Sequence, residues 1–87
     1  MAWSIEFDDG IEKILKRLSS ANQRRILDFL EERVASGDPR DLGQALQGKL
    51  AGLWRYRVGD YRVLARLEHD RLVVVVIDIG HRSAVYR

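Results

Sequence analysis

The feature that most constrains this chain is a two-residue punctuation, Gly59-Asp60. It stands between two runs of β-branched, aromatic and long side chains, residues 53–58 and 61–67. A glycine-first loop of two residues suits a type II′ turn, because glycine takes positive φ without steric cost. So short a loop fixes the strand register. Val58 then faces Tyr61, Arg57 faces Arg62, Tyr56 faces Val63, Arg55 faces Leu64 and Trp54 faces Ala65. Side chains alternate between the faces of a strand. Trp54, Tyr56, Val58, Tyr61, Val63 and Ala65 therefore share one face, which reads as a core. Arg55, Arg57, Arg62, Leu64 and Arg66 share the other.

An arginine face has two readings. In the plainer one it is a solvated outer surface whose arginines pair with nearby acids or lie on apolar neighbours. In the other it awaits an anion, since like charges placed opposite each other on a sheet are destabilising. Arginine is the residue suited to planar, two-pronged recognition of phosphate. Charge placement favours the second reading. The net charge is only +2. From Arg55 onward, however, seven arginines face four acids, whereas eight bases and nine acids precede it. The positive field belongs to the C-terminal part and points to a polyanionic partner.

The 87-residue chain reads as one domain, residues 1–87, with an ordinary 46% of hydrophobic residues. It has no cysteine, hence no disulfide and no thiolate metal site. Two histidines without clustered carboxylates on the arginine face predict no metal, and no cofactor is expected. No apolar run reaches the length of a membrane span, and the N-terminal residues lack a signal-peptide pattern. A cytoplasmic location with no membrane partner is the expectation.

In chain order, alternating Trp3, Ile5 and Phe7 predict a short strand. Asp9 and Glu12 resemble a capping box that opens a helix with Ile11, Ile14, Leu15 and Leu18 on its buried stripe. Ser20 with Gln23 signals a second start. A helix over residues 21–35 follows, with Ile26, Leu27, Leu30 and Val34 facing inward and Phe29 at the margin. Gly37 suits the position after its end, and Pro39 a stop. Leu42, Leu46 and Leu50 recur every four residues in a glycine-spaced stretch that fits either helical turns or a packed loop. His69 lies in a polar turn and reads as surface. The apolar run Leu72 to Ile77 predicts a strand covered on both sides, as an interior strand would be.

The hairpin from Trp54 to Arg62, the three-strand meander it begins, and the closing Gly80-His81-Arg82-Ser83-Ala84-Val85-Tyr86 together resemble the RelE/ParE superfamily of type II toxin–antitoxin toxins, on the RelE branch. The resemblance spans essentially the whole chain. It implies an α+β fold, with an N-terminal strand and an αα-hairpin packed on a mainly antiparallel sheet. It implies a metal-independent, ribosome-dependent endoribonuclease that cuts messenger RNA in the ribosomal A site, by attack of a ribose 2′-hydroxyl on the adjacent phosphate. The implied partners are messenger RNA, ribosomal RNA and a RelB-type antitoxin, with operator DNA reached only through the antitoxin complex. The antitoxin is expected to dock by an amphipathic helix, over the arginine face or in place of a C-terminal segment.

The matching positions are Arg62, Arg82 and Tyr86 as catalytic residues and Arg55 and Arg57 as RNA-binding residues. The best-known family pattern has lysines at the last two. Arginine keeps phosphate binding but cannot give up its proton near neutral pH. If residues 81–86 are extended, Arg82 and Tyr86 share a face and His81 takes the other. The plainer readings are a salt bridge from Arg82 to Asp78 and an aromatic plug for Tyr86. Two other functions stay open: inhibition of a type II topoisomerase by protein contact, as in the ParE branch, and non-catalytic binding of RNA or the ribosome.

Overall fold

The computed structural model describes residues 2–82. In chain order it contains β1 (Ser4–Phe7), α1 (Ile11–Arg17), α2 (Ser20–Asp28), β2 (Gln44–Ala45), β3 (Leu53–Val58), β4 (Tyr61–Glu68) and β5 (Val73–His81). The strands form one sheet in the order β1-β5-β4-β3-β2. β1 runs parallel to β5, and the other pairings are antiparallel. This is the expected α+β arrangement. The uninterrupted valines of β5 are explained by its interior place between β1 and β4.

The hairpin register is the one the turn dictates, residue for residue, from Val58 opposite Tyr61 to Trp54 opposite Ala65. Gly59 has φ +60° and Asp60 does not share the positive sign, as a type II′ turn requires. A methyl group on Gly59 would also stand 2.7 Å from an Arg25 Nη1. The turn therefore closes against α2 as well as reversing the chain.

One face of the sheet carries the core. Ile11 and Leu15 of α1, and Ile26, Leu30 and Val34 of the second helical segment, pack on Tyr56, Val58, Val63, Ala65, Val74, Val76 and Ile79. The second helix passes without a break into a π-helical turn, Phe29–Val34, and the Ala35 N–H reaches back five residues to the Leu30 carbonyl at 2.8 Å. Ile26, Leu30 and Val34, spaced by four, are all fully buried. The Trp3 N–H donates to the Ala35 carbonyl at 2.7 Å, which ties the end of this helix to the start of β1.

The helix starts differ from expectation. Gly10, in the left-handed region at φ 87°, and not Asp9, precedes α1, and no side chain caps it. The Asp9 N–H instead bonds the Asp8 carboxylate at 2.9 Å, a local turn that competes with capping. Ser19, one residue before Ser20, caps α2 by accepting the Asn22 N–H at 3.2 Å. Gly37 is not left-handed, and Ala35 closes the second helix.

The glycine-spaced stretch is a packed loop holding two 3₁₀ turns, Pro39–Asp41 and Gly48–Leu50, and the short edge strand β2. Tyr56 organises it. This side chain is fully buried, and its hydroxyl donates to the Pro39 carbonyl at 2.7 Å. Its ring leaves no room for a side chain at residue 43, where a methyl group would lie 2.7 Å from Cε1.

Burial pushes the Tyr56 phenol pKa up, and the charge of Asp38 adds to the rise. A raised folded-state pKa contributes stability that is full below the ordinary tyrosine value, about 10, and is lost as pH climbs above it. Wild-type melting temperature should therefore fall between pH 9 and pH 11 by more than that of Tyr56→Phe. At pH 7 the same substitution should cost about 1–3 kcal/mol, because it strands the buried Pro39 carbonyl. Thermal unfolding of both proteins across this range checks the sign and the size.

Candidate RNA-binding and cleavage site

The register assembles the site in cross-strand rows on the face turned away from the helices. One row runs Gln44, Arg55, Leu64, Asp78 across β2, β3, β4 and β5. The next runs Arg57, Arg62, Gly80. On the other side of the first lies Leu53, Arg66, Val75, Glu6. Leu64, Val73 and Val75 are nearly buried on this face, which gives the arginines an apolar floor.

The charges divide into two groups. At one end Arg66 bonds Glu68 at 3.2 Å, and Arg71 bonds Glu68 and reaches Glu6 at 3.5 Å. These are exposed pairs, the solvated surface of the plainer reading. The Arg71 guanidinium holds the Glu68 carboxyl below its ordinary pKa. At the other end, Arg57 and Arg62 stand opposite each other, and neither forms a hydrogen bond or ion pair with a described residue. Arg55 donates from Nη2 to the Gln44 side chain, a neutral partner. Its Nε and that of Arg62 are buried and unpartnered. A buried donor left unmade costs about 1–3 kcal/mol. Two such donors beside a third guanidinium make a site that an anion would relieve.

Arg82 stands just past β5. Its backbone N–H donates to the Asp60 carbonyl at 2.8 Å, and its guanidinium lies 3.9 Å from the Asp60 carboxylate. The expected alternative of a bridge to Asp78 is not what forms. His81 pairs opposite Tyr61, and the two rings meet edge to face at 5.5 Å. It thus takes the core side while Arg82 follows Gly80 on the arginine side. Tyr86 lies outside the described residues. His69, read as plain surface, is exposed but meets the Trp3 ring edge to face at 5.4 Å.

A groove of about 260 Å³ opens beside Arg55 and Arg57, lined also by Phe29, Leu42, Gly43 and Gln44. It joins an apolar wall to two guanidinium groups. A larger depression of about 370 Å³ lies along the outer side of α2, lined by Arg24, Asp28 and Glu31 among others. It shares no lining residue with the groove beside Arg55 and Arg57. No group of three or more metal-ligating side chains occurs among the described residues.

The pattern β-α-α-β-β-β-β, with guanidinium groups on the open face of the sheet, can be set beside known proteins. The family described as the ParE toxin of the type II toxin–antitoxin system parDE matches residues 2–86. This chain belongs to the RelE/ParE family of type II toxins. Toxin RelG of Mycobacterium tuberculosis is 28% identical over 87 residues, covering all of this chain and 99% of that one. Toxin RelE of the same organism is 34% identical over 79 residues, covering 78% and 81%. Among solved structures, the RelBE2 toxin–antitoxin complex of Mycobacterium tuberculosis superposes with a TM-score of 0.87 at 24% identity, over 94% of this chain and 100% of that one. The archaeal RelE–RelB complex of Pyrococcus horikoshii gives 0.69 at 27% identity, over 98% and 100%. The two named relatives carry RelG and RelE names, whereas the matching family model is described as ParE.

Reasoning from sequence found the arginine face and named one of its acids, Asp78, only as a salt-bridge partner for Arg82. Asp78 belongs to the face by register, and Asp60, in the hairpin turn, lies 3.9 Å from the Arg82 guanidinium. Asp60 was visible as the partner of Gly59 in the turn, two residues before Arg62. Asp78 was visible as the first charge after a long apolar run, but its side of the sheet was not. The unpaired state of Arg62 is open to direct measurement. Each phosphate contact contributes about 0.7 to the log–log salt slope on a single strand. Arg62→Ala should lower the slope for a single-stranded oligonucleotide by about that amount, and Arg66→Ala by less, since Glu68 already neutralises it. Fluorescence anisotropy titrations over a range of salt read both slopes.

Proposed function

We propose that this toxin is a ribosome-dependent, metal-independent endoribonuclease that cuts messenger RNA in the A site and so inhibits translation. The observation that carries the reading is the division of charge. On the open face of the sheet Arg66 and Arg71 are paired with Glu68 and Glu6, whereas the guanidinium groups of Arg55, Arg57 and Arg62 form no ion pair with a described residue, and Arg82 lies 3.9 Å from Asp60. Arg62 and Arg82 flank the bare main chain at Gly80, where a methyl group would meet nothing within 4 Å. A phosphodiester seated there would have guanidinium groups on two sides. As the 2′-oxygen attacks, charge builds on the phosphorane oxygens, and fixed donors stabilise it more than the ground state. Arg55 and Arg57 hold the RNA backbone or ribosomal RNA, and the groove beside them accepts a base against Phe29 and Leu42. Tyr86 orients the nucleophile or stacks on a base.

The proposed partner that restrains it is a RelB-type antitoxin, as in the RelE–RelB complexes that share its fold. The proposed location is cytoplasmic, where ribosomes are. No helix among the described residues is long and apolar enough to cross a membrane.

The test is cleavage of messenger RNA on programmed ribosomes, with RNA ends mapped. Cleavage should be much faster on the ribosome than in free RNA, and equal rates would overturn the ribosome dependence. Arg82→Ala should lose about 10²–10³ in rate, the usual cost of one donor to a developing oxyanion, while circular dichroism stays unchanged. Tyr86→Phe should lose at least about 10². His81→Ala should lose less than about tenfold, because its ring rests on Tyr61 away from the arginines. Growth arrest with intact messenger RNA and a blocked type II topoisomerase would transfer the protein to the ParE activity.

A further inference from the structure

β5 contains an irregularity that changes what its second half presents. Ala65 pairs with Val76, but Leu64 pairs with Asp78, so Ile77 is an extra residue opposite the Leu64/Ala65 step. Without it, strict alternation from Val74 and Val76 would send residue 78 into the core. With it, Ile79 takes the core position, 4% exposed, and Asp78 turns outward opposite Leu64. Bulges commonly re-aim a side chain in this way. The result is an acid in the row of Arg55, between the rows of Arg62 and Arg66. Arg55 shares its row, Arg62 and Arg66 stand diagonally on β4, and Glu6 belongs to the same face from β1.

Asp78 is not used as a counter-ion. Its Oδ1 accepts the Ile79 N–H at 2.9 Å, and it forms no ion pair with a described residue. Asp78 stands two residues before Gly80 on β5, and so about 7 Å away, and Arg82 follows two residues after it, just past the strand end. Arg62 lies directly across from Gly80. A phosphodiester over Gly80 would therefore have guanidinium groups across and to one side, and a carboxylate on the remaining side.

We infer that Asp78 is the proton acceptor of the cleavage reaction, placed on the arginine face by the Ile77 bulge. This rests on the ribonuclease reading above and names a proton acceptor among the described residues, where Tyr86 is the catalytic group outside them and a guanidinium cannot take a proton. The Asp78 carboxylate takes the proton of the ribose 2′-hydroxyl. The 2′-oxygen forms a bond to phosphorus as the bond to the 5′-oxygen breaks. The departing 5′-oxygen takes a proton from water, leaving a 2′,3′-cyclic phosphate and a free 5′-hydroxyl. Asp78 then returns its proton to solvent.

The experiment is single-turnover cleavage on programmed ribosomes by wild type, Asp78→Asn and Asp78→Ala. Binding to ribosomes carrying a 2′-deoxy codon is measured in parallel, and melting curves check the fold. Asp78→Asn retains an oxygen for the Ile79 N–H but cannot act as the base. It should lose about 10²–10⁴ in rate with binding as tight as wild type or tighter. Asp78→Ala should be equally slow and regain at least about tenfold on addition of formate, which a merely structural role would not allow. Asp78→Asn cutting as fast as wild type or faster would overturn the assignment and make Asp78 only a negative charge beside a phosphate site. Loss of the folding transition in both variants would overturn it too, by making the residue structural. If wild type leaves ribosome-bound messenger RNA intact, the ribonuclease reading itself falls and this inference with it. Cleavage by wild type and by Asp78→Asn alike removes this inference alone.

Discussion

Everything on the arginine face depends on the pleat of one hairpin, locked in phase by two residues. A slip of one position between β3 and β4 would exchange the faces of the slipped strand. Tyr56 and Val58, or Val63 and Ala65, would leave the core, and guanidinium groups would enter it. Gly59 prevents this by taking φ +60° against Arg25, and Tyr56 prevents it again by bonding Pro39 from within the core. Core and site are thus alternate residues of the same two strands, and whatever fixes one fixes the other.

This coupling explains how much was legible from the sequence. Alternation and a two-residue turn are local properties, so the hairpin register and both its faces could be read without knowing the rest of the fold. The buried stripes of both helices followed from spacing in the same way. What could not be read were the choices between near-equal local alternatives. Asp8 and Asp9 can each turn the chain before α1, and Ser19 and Ser20 can each cap α2; tertiary packing selects. β2 has two residues and no pattern of its own, and it exists because Leu53–Arg55 offers an edge. Whether a given arginine is paired was equally hidden, because Glu6 reaches Arg71 across 65 positions of the chain.

The Ile77 bulge is the most consequential of the hidden features. An apolar run carries no period, so nothing in residues 72–77 marks where the alternation slips. A strand read without the bulge places Asp78 under the helices, where an unpaired carboxylate would be costly. That cost is itself a clue. A lone acid at the end of a buried strand requires either a partner or a change of phase, and here the phase changes.

The arginine pair Arg57 and Arg62 raises a question of stability. Like charges in direct opposition on a sheet cost a fraction of a kcal/mol each, and buried unsatisfied donors cost more. Surface acids were available to relieve this, as Glu68 does for Arg66 and Arg71. Glu6 and Glu68 occupy the other end of the face, and neither Asp60 nor Asp78 forms an ion pair with Arg55, Arg57 or Arg62. Relief is therefore left to whatever binds, and any polyanion or acidic partner that covers Arg55, Arg57 and Arg62 stabilises the folded state by mass action. Any two such partners would then compete for the same unmet electrostatic demand. Inhibition by occupation of that face requires no movement of the sheet, because the core beneath it is already complete.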